Sequence, residues 1–364
     1  MLLARISDDP AAAASAVALH YATDAQDGIV RHRRGTSFTY ETTSGTRVRD
    51  RATLARIRAL AIPPAWTSVW ISPDPDGHIQ ATGRDARGRK QYRYHPRWRE
   101  VRDAVKYHRL VDFCRALPKL RAAVERDLAC PCLCKRKVVA TVVSLMERAQ
   151  LRVGNEEYAR HNNSYGATTL RNRHVRFVGP AFELSYRAKS GIERRVKITD
   201  RKLARVVRQC HDLPGKRLFE YVDDAGDVKP VTSFDVNEYV REHGGGDFTA
   251  KDYRTWAATM ATAMLLCAID HPGTARGCTQ AIKTVLEQVA DQLGHTPAIC
   301  RSSYVHPRLL EDFTANRLAR TLAPLVRRRL RARKHGDEIA LDALRAIEPV
   351  VARYLATTAV KRRA

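Results

Sequence analysis

The chain has 364 residues, 44 % of them hydrophobic and 28 % charged. That composition suits two or three folded domains and excludes disorder as a description of the whole. Lys and Arg number 64 against 39 Asp and Glu, a net charge of +25 that far exceeds what solubility needs. Self-repulsion of this size points to a polyanion as the usual neighbour, with nucleic acid first and an acidic membrane surface second.

The membrane alternative is weak. The longest largely apolar stretch, Trp256 to Ile269, is too short to span about 30 Å of hydrocarbon and is bracketed by Arg254 and Asp270. At the N-terminus, Arg5, Asp8 and Asp9 stand where a signal peptide needs an apolar core. The expected compartment is the reducing cytoplasm, with the eight cysteines as free thiols.

The first hundred residues read as β-rich. Ser37 to Thr42 alternates and Ser44-Gly45 supplies a turn. A short helix is expected over Ala52 to Leu60, stopped by Pro63-Pro64. Val69-Trp70-Ile71, the turn Pro73 to Gly77 and then His78 to Gly83 form a hairpin by composition and spacing. From about Arg99 the pattern changes to i, i+3, i+4 apolar spacing, as in Val138, Val142 and Met146, and later Trp256, Met260 and Met264. The chain is therefore expected to be α+β. A small N-terminal antiparallel β domain covers residues 1–100, and a larger, mainly α-helical domain covers 101–364.

Cys130-Pro131-Cys132-Leu133-Cys134 tempts a metal reading. Zinc sites usually need a second ligand pair, and none stands nearby. The segment also runs into Lys135-Arg136-Lys137, whose charge opposes a cation. No metal site is expected there.

Four further segments carry chemistry. Gln150 to Glu156 places Arg152 at the end of an amphipathic helix, beside a glycine. His174 to Thr199 reads as strands with a tight turn at Lys189-Ser190-Gly191, where Lys189 is either a flexible arm for a groove or a turn residue chosen for solubility. In Phe248 to Trp256, Thr249 and Asp252 form a capping box, and Lys251 and Arg254 lie three apart at the helix start. Amides and cations together suit phosphate there. In Leu293 to Pro307, Thr296-Pro297 starts a helix and Pro307 follows its end, presenting His295 at one end and Tyr304 at the other. Taken singly, each cation is an ordinary surface residue and Tyr304 an ordinary packed aromatic.

Together they are not ordinary. The ordered set Arg152, Lys189, Arg254, His295 and Tyr304 resembles the one used by type IB DNA topoisomerases. The Arg152-to-Lys189 and His295-to-Tyr304 spacings match the poxvirus members. Lys251-Asp252-Tyr253-Arg254-Thr255-Trp256 is similar to the family's K-D-[FY]-R-T-W, and Gly294 to Pro297 with Tyr304 to Pro307 to its tyrosine segment. Ile62 to Trp66 and Gly83 to His95 resemble the bacterial branch. The resemblance covers roughly residues 30 to 310. Two departures stand out: some bacterial members have asparagine where this chain has His295, and the cysteine cluster replaces a Pro-Gly-Leu-Pro-like stretch.

The resemblance implies a nucleophile, Tyr304, that attacks a DNA phosphodiester and conserves the bond energy as a 3′-phosphotyrosine. Arg152, Arg254 and His295 would stabilise the charge that builds on the non-bridging oxygens. Lys189 would protonate the leaving 5′ oxygen, and Lys251 would assist. No metal, ATP or other cofactor is implied. The expected partner is double-stranded DNA, held by a monomeric clamp in the cytoplasm, on the nucleoid. Arg87, Arg89, Lys90, Gln91, Tyr92 and Tyr94 of the β domain are the expected DNA contacts. The rivals are a tyrosine recombinase, which shares the covalent step, and a non-catalytic nucleoid DNA-binding protein.

Overall fold

A computed structural model describes residues 10–86, 88–331 and 340–357. The chain divides into two compact units, Met1–His108 and Arg109–Ala364. The first holds α1 (Pro10–Ser15), β1 (Ile29–Arg34), β2 (Ser37–Thr42), α2 (Arg51–Ala59), β3 (Thr67–Ile71), β4 (Ile79–Arg84) and β5 (Lys90–Tyr94). The strands form one antiparallel sheet in the order β2-β1-β3-β4-β5, so β5 is an edge. Ile29, Val69, Ile71 and Ala81 bury one side of it with Ile57 of α2. Asp50 starts α2 by accepting from the Thr53 amide at 2.7 Å, which satisfies one of the helix's orphan donors.

The division falls inside α3 (Pro96–Leu128). The elements that follow are α4 (Lys135–Ala149), α5 (Glu156–Asn162), β6 (Val175–Val178), β7 (Ala181–Arg187), β8 (Glu193–Ile198) and α6 (Arg201–His211). Next come β9 (Glu220–Val222), β10 (Val228–Pro230), α7 (Ser233–Gly244), α8 (Ala250–Ala268), α9 (Ala275–Leu293) and α10 (Pro297–Ser303). The last are α11 (Pro307–Thr314), α12 (Arg317–Thr321), α13 (Ala323–Arg331) and α14 (Leu341–Ala356). Strands β6, β7 and β8 make a small antiparallel sheet, and the other elements of this unit are mostly helices.

Helices α4 and α8 lie at the centre of the second unit. Val138, Val142 and Met146 of α4 are fully buried, as are Trp256 and Met260 of α8, whereas Met264 is only half-buried. A buried ionic network binds the surrounding helices to them. Arg121 of α3 reaches both Glu147 of α4 and Glu348 of α14 at 2.8 Å, and Arg345 of α14 also pairs with Glu147 at 2.7 Å. Burial raises the Glu348 carboxyl above its usual range, and the Arg121 guanidinium opposes that shift. No described helix is long and apolar enough to cross a membrane.

Candidate active site

The ends of two helices build the site. Helix α4 closes at Gln150, a left-handed cap with φ 53°, and α9 closes at Gly294, with φ 67°. The last carbonyls of each helix carry the negative end of its dipole and have no partner within it. Three guanidiniums fill that role. Arg152 donates from Nη2 to Gly294 O at 3.0 Å. Arg254 donates from Nη2 to Leu293 O at 2.7 Å and from Nη1 to Gln150 O. Arg194, on β8, donates from Nη2 to Ala149 O at 3.2 Å and from Nη1 to Gln292 O. Among the described residues none of the three forms an ion pair. The cations are held by carbonyl dipoles, which leaves their charge uncancelled.

Glycines make the approach possible. Gly294 takes its left-handed φ at no cost, and a Cβ there would lie 3.2 Å from Arg194 Cδ. A Cβ on Gly166 would come within 2.6 Å of Arg152 O. That contact lets the Ala167 amide donate to Arg152 O at 2.8 Å and the Thr168 amide to Val153 O at 2.7 Å. The backbone of Arg152 is therefore pinned independently of its side chain.

His295 and Tyr304 face each other. Their rings stack with centroids 4.7 Å apart and planes 6° from parallel. Thr296 caps α10 through a hydrogen bond from the Ile299 amide, with Pro297 as its first residue, as the sequence predicts. Tyr304 caps the other end of α10, and Thr259 of α8 holds its backbone. Thr259 Oγ1 donates to Tyr304 O at 3.1 Å and accepts from the His306 amide at 3.2 Å. The Arg254 guanidinium lies 5.5 Å from the Tyr304 ring centroid.

Crowded charge and burial shift the titratable groups of the site. Burial, followed by Arg254, Arg152 and Arg194, pushes the His295 imidazole down to about 3, so it is neutral near pH 7. Burial and then Arg152 push Arg254 down to about 10. Burial also lowers Arg152. Among the described residues, both ring nitrogens of His295 and Nε of Arg254 are buried without a hydrogen-bond partner. Buried polar atoms left open beside uncancelled positive charge are what an anion would satisfy.

A second tyrosine lies near these guanidiniums. Tyr186 of β7 is 4 % exposed, and burial raises its phenol above the usual range, so it is closed to a large substrate where Tyr304 is half-exposed. Lys189 stands on the exposed tip between β7 and β8, where Ser190 and Gly191 have φ of 67° and 78°. Lys251 is exposed in the first turn of α8. Neither lysine makes a hydrogen bond or ion pair with Arg152, Arg254, His295 or Tyr304 among the described residues. The structure thus brings four of the six expected residues together and leaves the two lysines outside.

The phosphate-binding start of α8 needs correction. Asp252 accepts from the Thr249 amide at 2.7 Å, and Asn237 Oδ1 accepts from the Ala250 amide at 3.0 Å. Those donors are occupied by the protein itself, and Arg254 acts at the α4 and α9 ends instead.

The expected DNA contacts divide between the two faces of β5. Lys90, Tyr92 and Tyr94 share one face, with the Tyr92 and Tyr94 rings stacked at 5.7 Å and Lys90 paired to Asp24 at 2.6 Å. Gln91 is on the other face, bonded to Asp85 at 3.0 Å, and Arg89 is paired to the same carboxylate at 2.6 Å. Arg87 lies outside the described residues.

Sequence reasoning missed Arg194, Tyr186 and Thr259. The only available signal was a threonine inside an apolar helix, which needs a partner somewhere.

Comparison with known proteins adds three findings. Residues 95–322 match the family described as eukaryotic DNA topoisomerase I, catalytic core. Residues 37–85 match the one described as bacterial DNA topoisomerase IB, N-terminal domain. The chain is also 34 % identical over 297 residues to a protein of Acanthamoeba polyphaga mimivirus named DNA topoisomerase 1B, covering 80 % of this chain and 88 % of that one.

Proposed function

This chain belongs to the type IB DNA topoisomerase family, and on that footing we propose that it relaxes supercoiled DNA by transient cleavage of one strand through Tyr304. The observation that supports Tyr304 most is its position: it stacks on a neutral His295 beside guanidiniums that no carboxylate among the described residues neutralises. A DNA phosphodiester placed there meets the open atoms of His295 and Arg254.

Tyr304 Oη forms the bond to phosphorus as the bond to the 5′ oxygen breaks. The phosphorane between them carries extra charge on its non-bridging oxygens. Arg152 and Arg254 offer those oxygens their positive charge and the N–H groups not held by carbonyls, Nε of Arg254 among them, and the neutral imidazole of His295 offers one N–H. An alkoxide is a poor leaving group, so the 5′ oxygen takes a proton from Lys189, carried in on its exposed tip. One phosphoester replaces another of similar energy, so the nick reseals by reversal without ATP once the free end has swivelled. The fixed cations do the charge stabilisation that a metal ion could otherwise do. Lys251 assists from the start of α8.

In the N-terminal unit, the Lys90, Tyr92 and Tyr94 face and Gln91 on the opposite face offer hydrogen-bonding groups to the backbone and base edges of duplex DNA. The protein works as a monomer clamped on the duplex, associated with the nucleoid in the cytoplasm.

The deciding experiment uses supercoiled plasmid in EDTA without ATP. The native chain is expected to relax it and to leave a protein–DNA adduct after denaturation. Tyr304→Phe should still bind DNA and do neither. A surviving adduct in that variant would remove Tyr304 from the reaction.

A further inference from the structure

The loop between α3 and α4 gathers three thiols that the chemistry above does not use. Cys130 Sγ lies 3.4 Å from Cys132 Sγ and 3.6 Å from Cys134 Sγ, and all three sulfurs fall within 4.8 Å of one another. A zinc–sulfur bond is about 2.3 Å, which places bound sulfurs about 3.8–4.0 Å apart, so shifts of no more than about 1 Å would seat an ion. We propose that Cys130, Cys132 and Cys134 form a site for a thiophilic d10 cation, Zn(II) or Cu(I), with a fourth position open to solvent beside the exposed Cys132.

The loop backbone is already fixed. Leu133 O accepts from the Val222 amide at 3.2 Å, and Lys137 Nζ donates to Cys130 O at 2.8 Å. Cys134 is the N-cap of the 15-residue helix α4, in extended conformation, yet its sulfur makes no capping bond. Its thiol is therefore free to ligate, at a helix end whose dipole favours the thiolate.

The objection from Lys135, Arg136 and Lys137 fails on two counts. Lys135 pairs with Asp235 at 2.5 Å, Arg136 with Asp127 at 3.2 Å, and Lys137 holds the Cys130 carbonyl. Lys135 and Lys137 are turned to partners of their own, and Arg136 divides its guanidinium between Asp127 and the Cys130 sulfur. A three-thiolate complex is moreover an anion: three protons leave to the buffer as the metal–sulfur bonds form, and the product carries −1 with Zn(II) or −2 with Cu(I). Nearby cations favour that product. Helix α4, 15 residues or about 22 Å long, separates this loop from the carbonyls that hold Arg194 and Arg254, so the site stands apart from the proposed chemistry.

The test uses the full reduced chain, titrated separately with Zn(II) and Cu(I) against a competing chromophoric chelator. One ion per chain is expected, with Cys130, Cys132 and Cys134 shielded from iodoacetamide in peptide mass spectra. Cys130→Ser and the surface variant Cys132→Ser should each weaken binding by more than about 100-fold, the upper end of what losing even a partner of a ligand costs. The arm that binds one equivalent identifies the ion. Failure of both ions to bind, or binding that both variants leave unchanged, would overturn the site. So would rapid Cys130–Cys134 disulfide formation in air that neither ion prevents. None of these readouts depends on DNA cleavage, so they stand or fall independently of the proposed activity.

Discussion

Arg152 and Arg254 hold successive carbonyls at the end of α9, Arg254 through Leu293 O at 2.7 Å and Arg152 through Gly294 O at 3.0 Å. Two like charges are thereby fixed side by side, and each makes the other costlier. Helix dipoles offset part of that cost in the free protein. A bound phosphate would offset the rest.

The same crowding decides the form of His295. Its imidazole is held at about 3 when folded against an ordinary 6.5, so it offers a hydrogen bond as a neutral group. Asparagine also offers a neutral N–H. His295→Asn should keep cleavage within about tenfold of the native rate, whereas His295→Ala should lose about 10²–10³-fold, the cost of one missing donor. The depressed value has a stability consequence. The unfolded chain takes up a proton below about 6.5 and the folded chain does not, so the contribution is intact above pH 6.5 and is lost as pH falls toward 3. Denaturation of the native chain and His295→Asn at pH 7 and pH 5 should show the variant less destabilised by acid. Equal acid sensitivity would place the imidazole proton elsewhere.

Arg194 is expected to act as a positioning residue. It ties Ala149 O to Gln292 O, next to the carbonyls that Arg254 holds. Arg194→Ala should lower kcat by about 10²-fold, the scale of an ångström-sized misplacement, while DNA affinity changes little. Lysine cannot span both carbonyls with a planar fork, so Arg194→Lys should restore only part of the loss. An affinity loss as large as the rate loss would mean that Arg194 binds DNA rather than orders the site.

The ionic network supports α4 from behind. Removing Arg121 leaves Glu348 buried without its partner and Glu147 with Arg345 alone. Arg121→Met should destabilise the protein by about 3–5 kcal/mol in urea unfolding. A loss under about 1 kcal/mol would show that water or Arg345 takes over.

What could be read in the sequence was local. His295 and Tyr304 flank one short helix whose start, Thr296-Pro297, is written in the residues themselves. The strand pairs and the lysine tip between β7 and β8 were readable in the same way. Arg194 was not, because its partners Ala149 and Gln292 lie far away in the chain and nothing near Arg194 announces them. The expected anion site at the start of α8 failed for a similar reason: Asn237, from the preceding helix, fills it. Gln91 and Tyr92 are neighbours in sequence, yet strand alternation puts them on opposite faces of β5.

The two remaining cationic roles, Lys189 as general acid and Arg254 as charge stabiliser, can be separated by changing the leaving group. Their settings differ. Lys189 rides an exposed tip, closed by a hydrogen bond from the Ala188 amide to Ile192 O at 2.7 Å, from which an extended amine can enter a groove. Arg254 is 4 % exposed with both terminal nitrogens anchored, so it can present charge but cannot travel. General acid help to an oxygen leaving group is worth about 10²–10⁴-fold. A bridging sulfur at the 5′ position leaves as a much weaker base and needs almost no proton. Single-turnover cleavage of the sulfur substrate by Lys189→Ala should therefore recover most of what that variant loses on the oxygen substrate. Arg254→Ala should gain little, because the donors it lacks face the non-bridging oxygens in both substrates. Equal rescue of the two variants, or rescue of neither, would show that the roles are divided wrongly between the exposed lysine and the buried arginine.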